Sequence, residues 1–80
     1  MATKKITDQD FKQTIQNENN LVVVDFWAEW CGPCKMLAPV LEKVSENLAD
    51  TVSIYKLNTD ENIASAQEYQ ITSIPCCIVF

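Results

Sequence analysis

The sequence predicts an α/β fold, β-α-β-α-β-α-β, around a mainly parallel or mixed sheet of four strands. Three observations support this fold class. A valine-rich run from Leu21 to Trp27 is almost continuously apolar, which is typical of a strand buried on both faces of a parallel sheet. Apolar residues at helical spacing follow it, from Leu37 to Leu48. Two further apolar runs, Val52 to Leu57 and Cys76 to Phe80, are separated by a second helical pattern, and this alternation indicates crossover units.

The N-terminal elements follow from local patterns. Residues 1–5 form a polar tail, and Ile6 belongs to a short first strand. Thr7 or Asp8 is expected to cap the first helix, because both side chains can accept from free helix amides. That helix should end in the polar run 16–20.

The second and third helices have their own signals. Pro33 suits the first turn of a helix, whereas Pro39 lies inside the same helix and should kink it by removing a backbone donor. The apolar stripe from Leu37 to Leu48 is expected to be core. Asp60 or Asn62 is expected to cap the third helix.

Composition excludes several classes of function. The 80 residues form one small domain, 1–80, with a net charge of −5 and no arginine. A chain of this charge is expected to bind nucleic acids or anionic membranes poorly. The absence of histidine excludes histidine-dependent catalysis, and the single glycine excludes dinucleotide fingerprints and phosphate loops. No run is long enough to cross a bilayer, and Met1 to Asp10 has no apolar core of a signal peptide, so we expect a cytoplasmic protein.

Two cysteines in C-x-x-C spacing, Cys31 and Cys34, lie where the buried strand passes into the second helix. Cys31 is expected at the helix N-terminus, where unpaired amides and the macrodipole favour a thiolate, the nucleophilic form of cysteine. Cys34 lies one turn further on the same face, so the two sulfurs can reach disulfide geometry. Gly32 permits a close approach and Pro33 stiffens the turn. This spacing at a strand-to-helix junction indicates thiol–disulfide chemistry more strongly than a zinc site.

Two charged residues interrupt the apolar strands. Asp25 lies beside Val24 and Phe26, six residues before Cys31. Burial raises the pKa of a carboxyl group, so this position favours a functional role over an aspartate that reaches water at a strand end. Lys56 alternates in phase with apolar residues of its strand. The residues alone leave open whether it is buried or extends its ammonium group to solvent from an edge.

The segment from Val24 to Met36, which reads VDFWAEWCGPCKM, resembles the active-site stretch of the thioredoxin family. The resemblance extends from about Ile6 to Phe80 and includes Ile74-Pro75. It implies the thioredoxin fold and the reduction of disulfides in protein substrates, without a cofactor. It also implies a reductase or a small thiol as electron donor. The Gly-Pro dipeptide between the cysteines resembles that of reducing members of the family.

The resemblance implies a role for each matching residue. Cys31 would attack the substrate disulfide, and Cys34 would resolve the mixed disulfide. Asp25 would be the buried acid and base that helps Cys34 to lose its proton, with Lys56 as its buried partner. Substrate-binding roles would fall to Trp30, Gly32, Pro33, Ile74 and Pro75, the last after a cis peptide bond.

Cys76 and Cys77 depart from the family, in which a threonine usually follows the proline. Cys77 is expected to be a small, buried strand residue. For Cys76 three interpretations stay open: a buried strand residue, a third redox thiol, or a ligand that completes a metal or iron–sulfur site with Cys31 and Cys34. The last is the alternative function for this chain. Strand alternation places Cys76 and Cys77 on opposite faces, so both can hardly join one site.

The chain is shorter than is usual for the family, which continues with a hairpin, a fifth strand and a final helix. We therefore expect a fold truncated at the C-terminus, in which the strand 76–80 is an exposed edge beside an uncovered apolar face. The expected outcomes are a homodimer through this edge strand or a marginally stable monomer. A fragment that folds only with a partner supplying the missing elements is a further alternative.

Overall fold

The sheet has four strands and is mixed, as the sequence predicts. The computed structural model describes residues 2–80, and its elements are β1 (Lys4–Lys5), α1 (Phe11–Asn17), β2 (Leu21–Trp27), α2 (Gly32–Asn47), β3 (Val52–Asn58), α3 (Ile63–Glu68) and β4 (Cys76–Val79). The strand order is β1-β3-β2-β4. β3 runs parallel to both β1 and β2, whereas β4 is antiparallel to β2. β2 therefore lies in the interior of the sheet, between β3 and β4.

The two faces of β2 have different surroundings. Val22, Val24 and Phe26 face the main apolar core, which Phe11 joins from α1. The ring of Tyr69, just after α3, also packs on this side. Since side chains alternate along a strand, the residues of β2 that lie between these three point to the opposite face. That is the face on which β2 leads into α2 and the cysteine pair.

The start of α1 differs from the prediction. The helix begins at Phe11, and Asp10, rather than Thr7 or Asp8, occupies its N-cap position. The Asp10 side chain does not cap the helix; its Oδ1 accepts from the Thr7 amide at 2.8 Å. The Asp10 carboxylate thus stabilises the turn before α1 instead of the first turn of the helix.

Asp8 instead serves α3, which is distant in sequence. Its carboxylate accepts from the amides of Ala64 at 3.3 Å and Ser65 at 2.9 Å. Asn62 holds the predicted N-cap position of α3, but its side chain makes no cap bond to that helix. Its Oδ1 accepts from the Asp8 amide at 2.9 Å, which fixes Asp8 in place. Free helix amides are satisfied here by a tertiary contact.

The apolar stripe of α2 is the clearest departure from expectation. The helix has the predicted extent, and Pro39 lies inside it. However, Val40, Val44 and Leu48 are 54%, 36% and 47% exposed, so the prediction that this stripe is core is wrong. Helical periodicity identifies an apolar face but does not say what lies against it. Among the described residues, no element covers this side of α2.

Candidate active site

Cys31 and Cys34 are joined in a disulfide at the N-terminus of α2, with their Cα atoms 5.2 Å apart. Cys31 is the N-cap residue in an extended conformation, and its Sγ accepts from the Cys34 amide at 3.2 Å. An amide that helix geometry leaves free thus points at the sulfur. In the reduced protein this contact, together with the helix dipole, favours the Cys31 thiolate.

The two residues between the cysteines have different roles. Pro33 lies in the first turn of α2, where its fixed φ suits a helix. Its lack of an N–H costs no hydrogen bond there, because amides of the first turn have no acceptor within the helix. Gly32 has open space where a Cβ would stand, with no atom within 4 Å. No contact within this fold therefore requires a glycine at position 32. The space above it is free for an incoming chain.

The loop before β4 lies against the cysteine pair. The peptide bond between Ile74 and Pro75 is cis, as the resemblance implies. The carbonyl oxygen of Ile74 is 3.8 Å from Cys31 Sγ. Ile74 also packs against the small cluster that Cys31 forms with Cys34 and Ala28. The structure therefore brings Ile74, near the end of this loop, to the cysteine pair.

Trp30 lies on the surface next to the pair. Its side chain is 70% exposed, and its Nε1 donates to Asp60 Oδ2 at 2.9 Å. The indole forms one wall of a groove of about 240 Å³, whose other lining residues are Thr59, Ile71, Thr72, Ser73 and Ile74. Ile74 connects this groove with the cysteine pair, because it lines the groove and packs against the cluster of Cys31 and Cys34.

Asp25 is fully buried in the middle of β2. Its Oδ2 has no hydrogen-bond partner among residues 2–80, and its Oδ1 receives one contact, from the Cys77 thiol at 3.7 Å. Burial raises the pKa of this carboxyl group, while the nearby charge of Lys56 and the Cys77 contact act in the opposite direction. The side chain is therefore a buried carboxyl group with a raised pKa and one oxygen that is unpartnered within the described chain.

Lys56 stands directly beside Asp25 in the parallel pairing of β3 with β2. Its ammonium group lies 4.6 Å from the centroid of the Trp27 ring, in cation–π geometry, and makes no hydrogen bond to the carboxylate. Lys56 is half-buried. It therefore acts on Asp25 through its field and not as a bonded partner.

The structure separates the two remaining cysteines. Cys76 opposes Phe26 in the antiparallel register and packs against the main core, away from the disulfide. Cys76 is therefore not brought together with Cys31 and Cys34. Within residues 2–80 no group of three or more cysteine, aspartate or glutamate side chains is placed to hold a metal ion.

Cys77 is the site residue that the sequence analysis missed. It opposes Asp25 in the register, and it is exposed rather than buried. Although the residue is exposed, partial desolvation of its thiol and the adjoining Asp25 carboxylate raise the thiol pKa to about 11. An antiparallel pairing of β4 with β2 would have indicated this contact, but the sequence gives no register for that pairing.

Comparisons with known proteins agree on one family. The thioredoxin family model matches residues 2–80. The chain is 52% identical over 79 residues to a thioredoxin of Alicyclobacillus acidocaldarius subsp. acidocaldarius, covering 99% of this chain and 74% of the relative. It is 45% identical over 80 residues to a thioredoxin of Pyropia yezoensis, covering 100% and 75%. The chain thus spans about three quarters of these relatives. In the part of the chain that the structure describes, no helix is long and apolar enough to cross a membrane.

Proposed function

The chain belongs to the thioredoxin family of thiol–disulfide oxidoreductases, and we propose that it reduces protein disulfides through a dithiol–disulfide cycle at Cys31 and Cys34. The single observation that carries the proposal is the geometry of this pair: a disulfide at a helix N-terminus, with a backbone amide directed at Cys31 Sγ. A metal or iron–sulfur function has no such support, because Cys76 faces the main core instead of the pair.

In the first step the Cys31 thiolate attacks one sulfur of the substrate disulfide. A Cys31–substrate disulfide forms, the substrate S–S bond breaks, and the released sulfur leaves as a thiolate that takes a proton from water. The Cys34 amide and the dipole of α2 stabilise the attacking thiolate. This stabilisation raises the fraction of Cys31 that is nucleophilic at neutral pH.

In the second step Cys34 resolves the mixed disulfide. Its thiol proton passes to the Asp25 carboxylate, and the Cys34 thiolate attacks Cys31 Sγ. The Cys31–Cys34 disulfide forms while the second substrate sulfur leaves and is protonated. The chain is oxidised by two electrons and the substrate disulfide is reduced by two. Asp25 suits the transfer because it is buried and because burial raises its pKa toward neutrality.

Substrate binding is assigned to the groove beside Trp30 and to the Ile74-Pro75 segment. Ile74 lies at both places, since it lines the groove and its carbonyl approaches Cys31 Sγ. An extended substrate segment in this groove would place its disulfide next to Cys31. The uncovered surface at Gly32 leaves room for that segment, and Pro33 holds the helix start rigid.

The cycle ends with the disulfide shown in the structure, so turnover requires an electron donor. A reductase protein or a small thiol fills this role in the proposal. A reducing compartment such as the cytoplasm fits the cycle, because thiols are kept reduced there. Turnover supported by dithiothreitol or by a thioredoxin reductase would distinguish the two kinds of donor.

A homodimer through residues 76–80 is proposed for this 80-residue chain. In the described structure β4 pairs with β2 on one side only, and Cys76 to Phe80 contains no charged residue that would oppose edge pairing. Two identical strands can pair antiparallel about a two-fold axis. Sedimentation equilibrium tests this directly: a mass that stays that of one chain at all concentrations would exclude the dimer.

Trapping of the mixed disulfide tests the proposed function. Cys34→Ser removes the resolving thiol, so this variant should accumulate a covalent adduct with a disulfide-containing protein such as insulin. Cys31→Ser, the matched control, should accumulate none. Because Cys76 and Cys77 also carry thiols, the adduct must be located by peptide mass spectrometry. An adduct on a cysteine other than Cys31, or equal adducts in both variants, would contradict the proposal.

A further inference from the structure

The buried carboxyl group of Asp25 has a single hydrogen-bond donor among residues 2–80, and that donor is the thiol of Cys77. The two residues face each other across the β2–β4 pairing, and their side chains point to the same side of the sheet. The Sγ–Oδ1 distance is 3.7 Å, within the range for a hydrogen bond to sulfur, and Oδ2 has no partner.

The simpler interpretation is that Cys77 is a small residue of an apolar strand. Cys76 provides the comparison, because it is adjacent, is also a free thiol, and packs into the main core without touching the carboxyl group. Cys77 differs in both respects: it is exposed, and it contacts a fully buried acid. A buried polar atom with one available donor depends strongly on that donor, because nothing replaces it when it is lost.

We propose that Cys77 is a positioning residue of the active site, whose thiol holds the Asp25 carboxyl group in the ionised form that can accept the proton of Cys34. The inference rests on the proposed function, since it concerns the acid–base step of that cycle. Cys77 itself exchanges no electrons in this scheme. Because the pKa of its thiol is about 11, Cys77 keeps its proton at neutral pH and remains a donor.

Other groups act on Asp25 from the elements around it. Lys56 on β3 contributes a positive charge that lowers the carboxyl pKa, and burial raises it. On the α2 side, Cys34 is the group that gives its proton to Asp25 in the proposed cycle. Lys35 and Glu42 of the same helix line a cavity together with Lys56. None of these donates a hydrogen bond to the carboxylate. Loss of the Cys77 donor should therefore raise the Asp25 pKa, with Lys56 left as the only opposing influence.

The test measures the Asp25 pKa in the oxidised protein by NMR titration of the side-chain carboxyl carbon. Cys77→Val removes the donor and keeps the site apolar, whereas Cys77→Ala removes the donor and admits more water. The matched control is Cys76→Val. We expect the Asp25 pKa to rise by about one unit in both Cys77 variants and to stay unchanged in the control. A rise in Cys77→Val with a fall in Cys77→Ala would mean that volume and hydration act, and would overturn the proposal.

The pH profile of the resolving step provides the second readout. Asp25 must be ionised to accept a proton, so the rate rises with pH through its pKa. In Cys77→Val the rise should move up by about one pH unit, which makes the step up to about tenfold slower below that pKa. Cys76→Val should retain the profile of the unmodified chain.

The outcomes separate this inference from the proposed function. An unchanged carboxyl pKa in the Cys77 variants, or a shifted pKa with an unmoved profile, would refute the role of Cys77 while reduction through Cys31 stands. A chain that forms no adduct at Cys31 would refute the proposed function. The carboxyl titration needs no turnover and would still decide whether the Cys77 contact acts on Asp25.

Discussion

Replacement of Asp25 by valine should stabilise the protein at neutral pH. The carboxyl group is fully buried in the interior strand of the sheet, and its Oδ2 has no hydrogen-bond partner among residues 2–80. An unsatisfied buried acceptor costs about 1–3 kcal/mol, and more when charged. Valine fits a strand with apolar neighbours and removes both the oxygen and the charge. The partner thiol of Cys77 is exposed, so water can replace the lost contact.

The gain in the free energy of unfolding should depend on pH with a defined sign. Burial raises the folded pKa of Asp25 above its ordinary value of 3.8, so between these two values the folded state binds more protons than the unfolded state. Linkage then makes the unmodified chain less stable as pH rises through this window. Asp25→Val lacks this loss, so its advantage should grow from acid toward neutral pH and become constant above the folded pKa.

Urea denaturation at a series of pH values measures both effects. For a domain of this size each kcal/mol also moves the Tm by about 4–8 °C. Asp25→Asn separates the contribution of the charge from that of the buried polar group, because it removes the charge and keeps a polar group. Asp50→Asn, at an exposed position, should change stability by less than about 0.5 kcal/mol. An Asp25→Val variant that is less stable than the unmodified chain at neutral pH would refute the reasoning.

Three further predictions concern stability, each measured by urea denaturation. Asp8→Ala removes the acceptor of two α3 amides and should cost about 1 kcal/mol. Because hydrogen bonds from Ser65 lower the Asp8 pKa, this contribution should also disappear on acidification below pH 3.8. A variant as stable as the unmodified chain would exclude the cap. Gln70→Gly should stabilise by about 0.5–1 kcal/mol, because Gln70 has φ of 55°; a loss of stability would contradict this. Tyr55→Phe removes a 2.6 Å hydrogen bond to Glu18 and should cost about 1–2 kcal/mol. Because the Tyr55 pKa is raised to about 12 from 10.0, the cost should shrink between these pH values. A stability difference that stays constant over this pH range would contradict the prediction.

Local patterns predicted the features that depend on neighbouring residues. The valine-rich run has the bounds of β2, and the proline after Cys31 and Gly32 lies in the first turn of α2. Burial of Asp25 followed from its apolar neighbours, and the direction of its pKa shift followed from burial. These inferences succeeded because strand burial and helix starts leave a periodic or positional record in the sequence.

Features that depend on distant contacts were missed. Asp8 serves α3, a helix that begins more than fifty residues later, instead of the helix beside it. The contact of Cys77 with Asp25 depends on the antiparallel register of β4, which no local signal specifies. The exposed stripe at Val40 and Val44 shows the same limit, because periodicity marks a face without identifying its neighbour. Contacts between elements that are distant in sequence, or their absence within residues 2–80, decide all three.

Reduction of insulin disulfides with dithiothreitol as electron donor tests the central claim most directly. The chain should accelerate the reaction, Cys31→Ser should leave it at the uncatalysed rate, and a metal chelator should have no effect. A folded chain that gives no acceleration, or a Cys31→Ser variant as active as the unmodified chain, would contradict the assignment of disulfide reduction to Cys31 and Cys34.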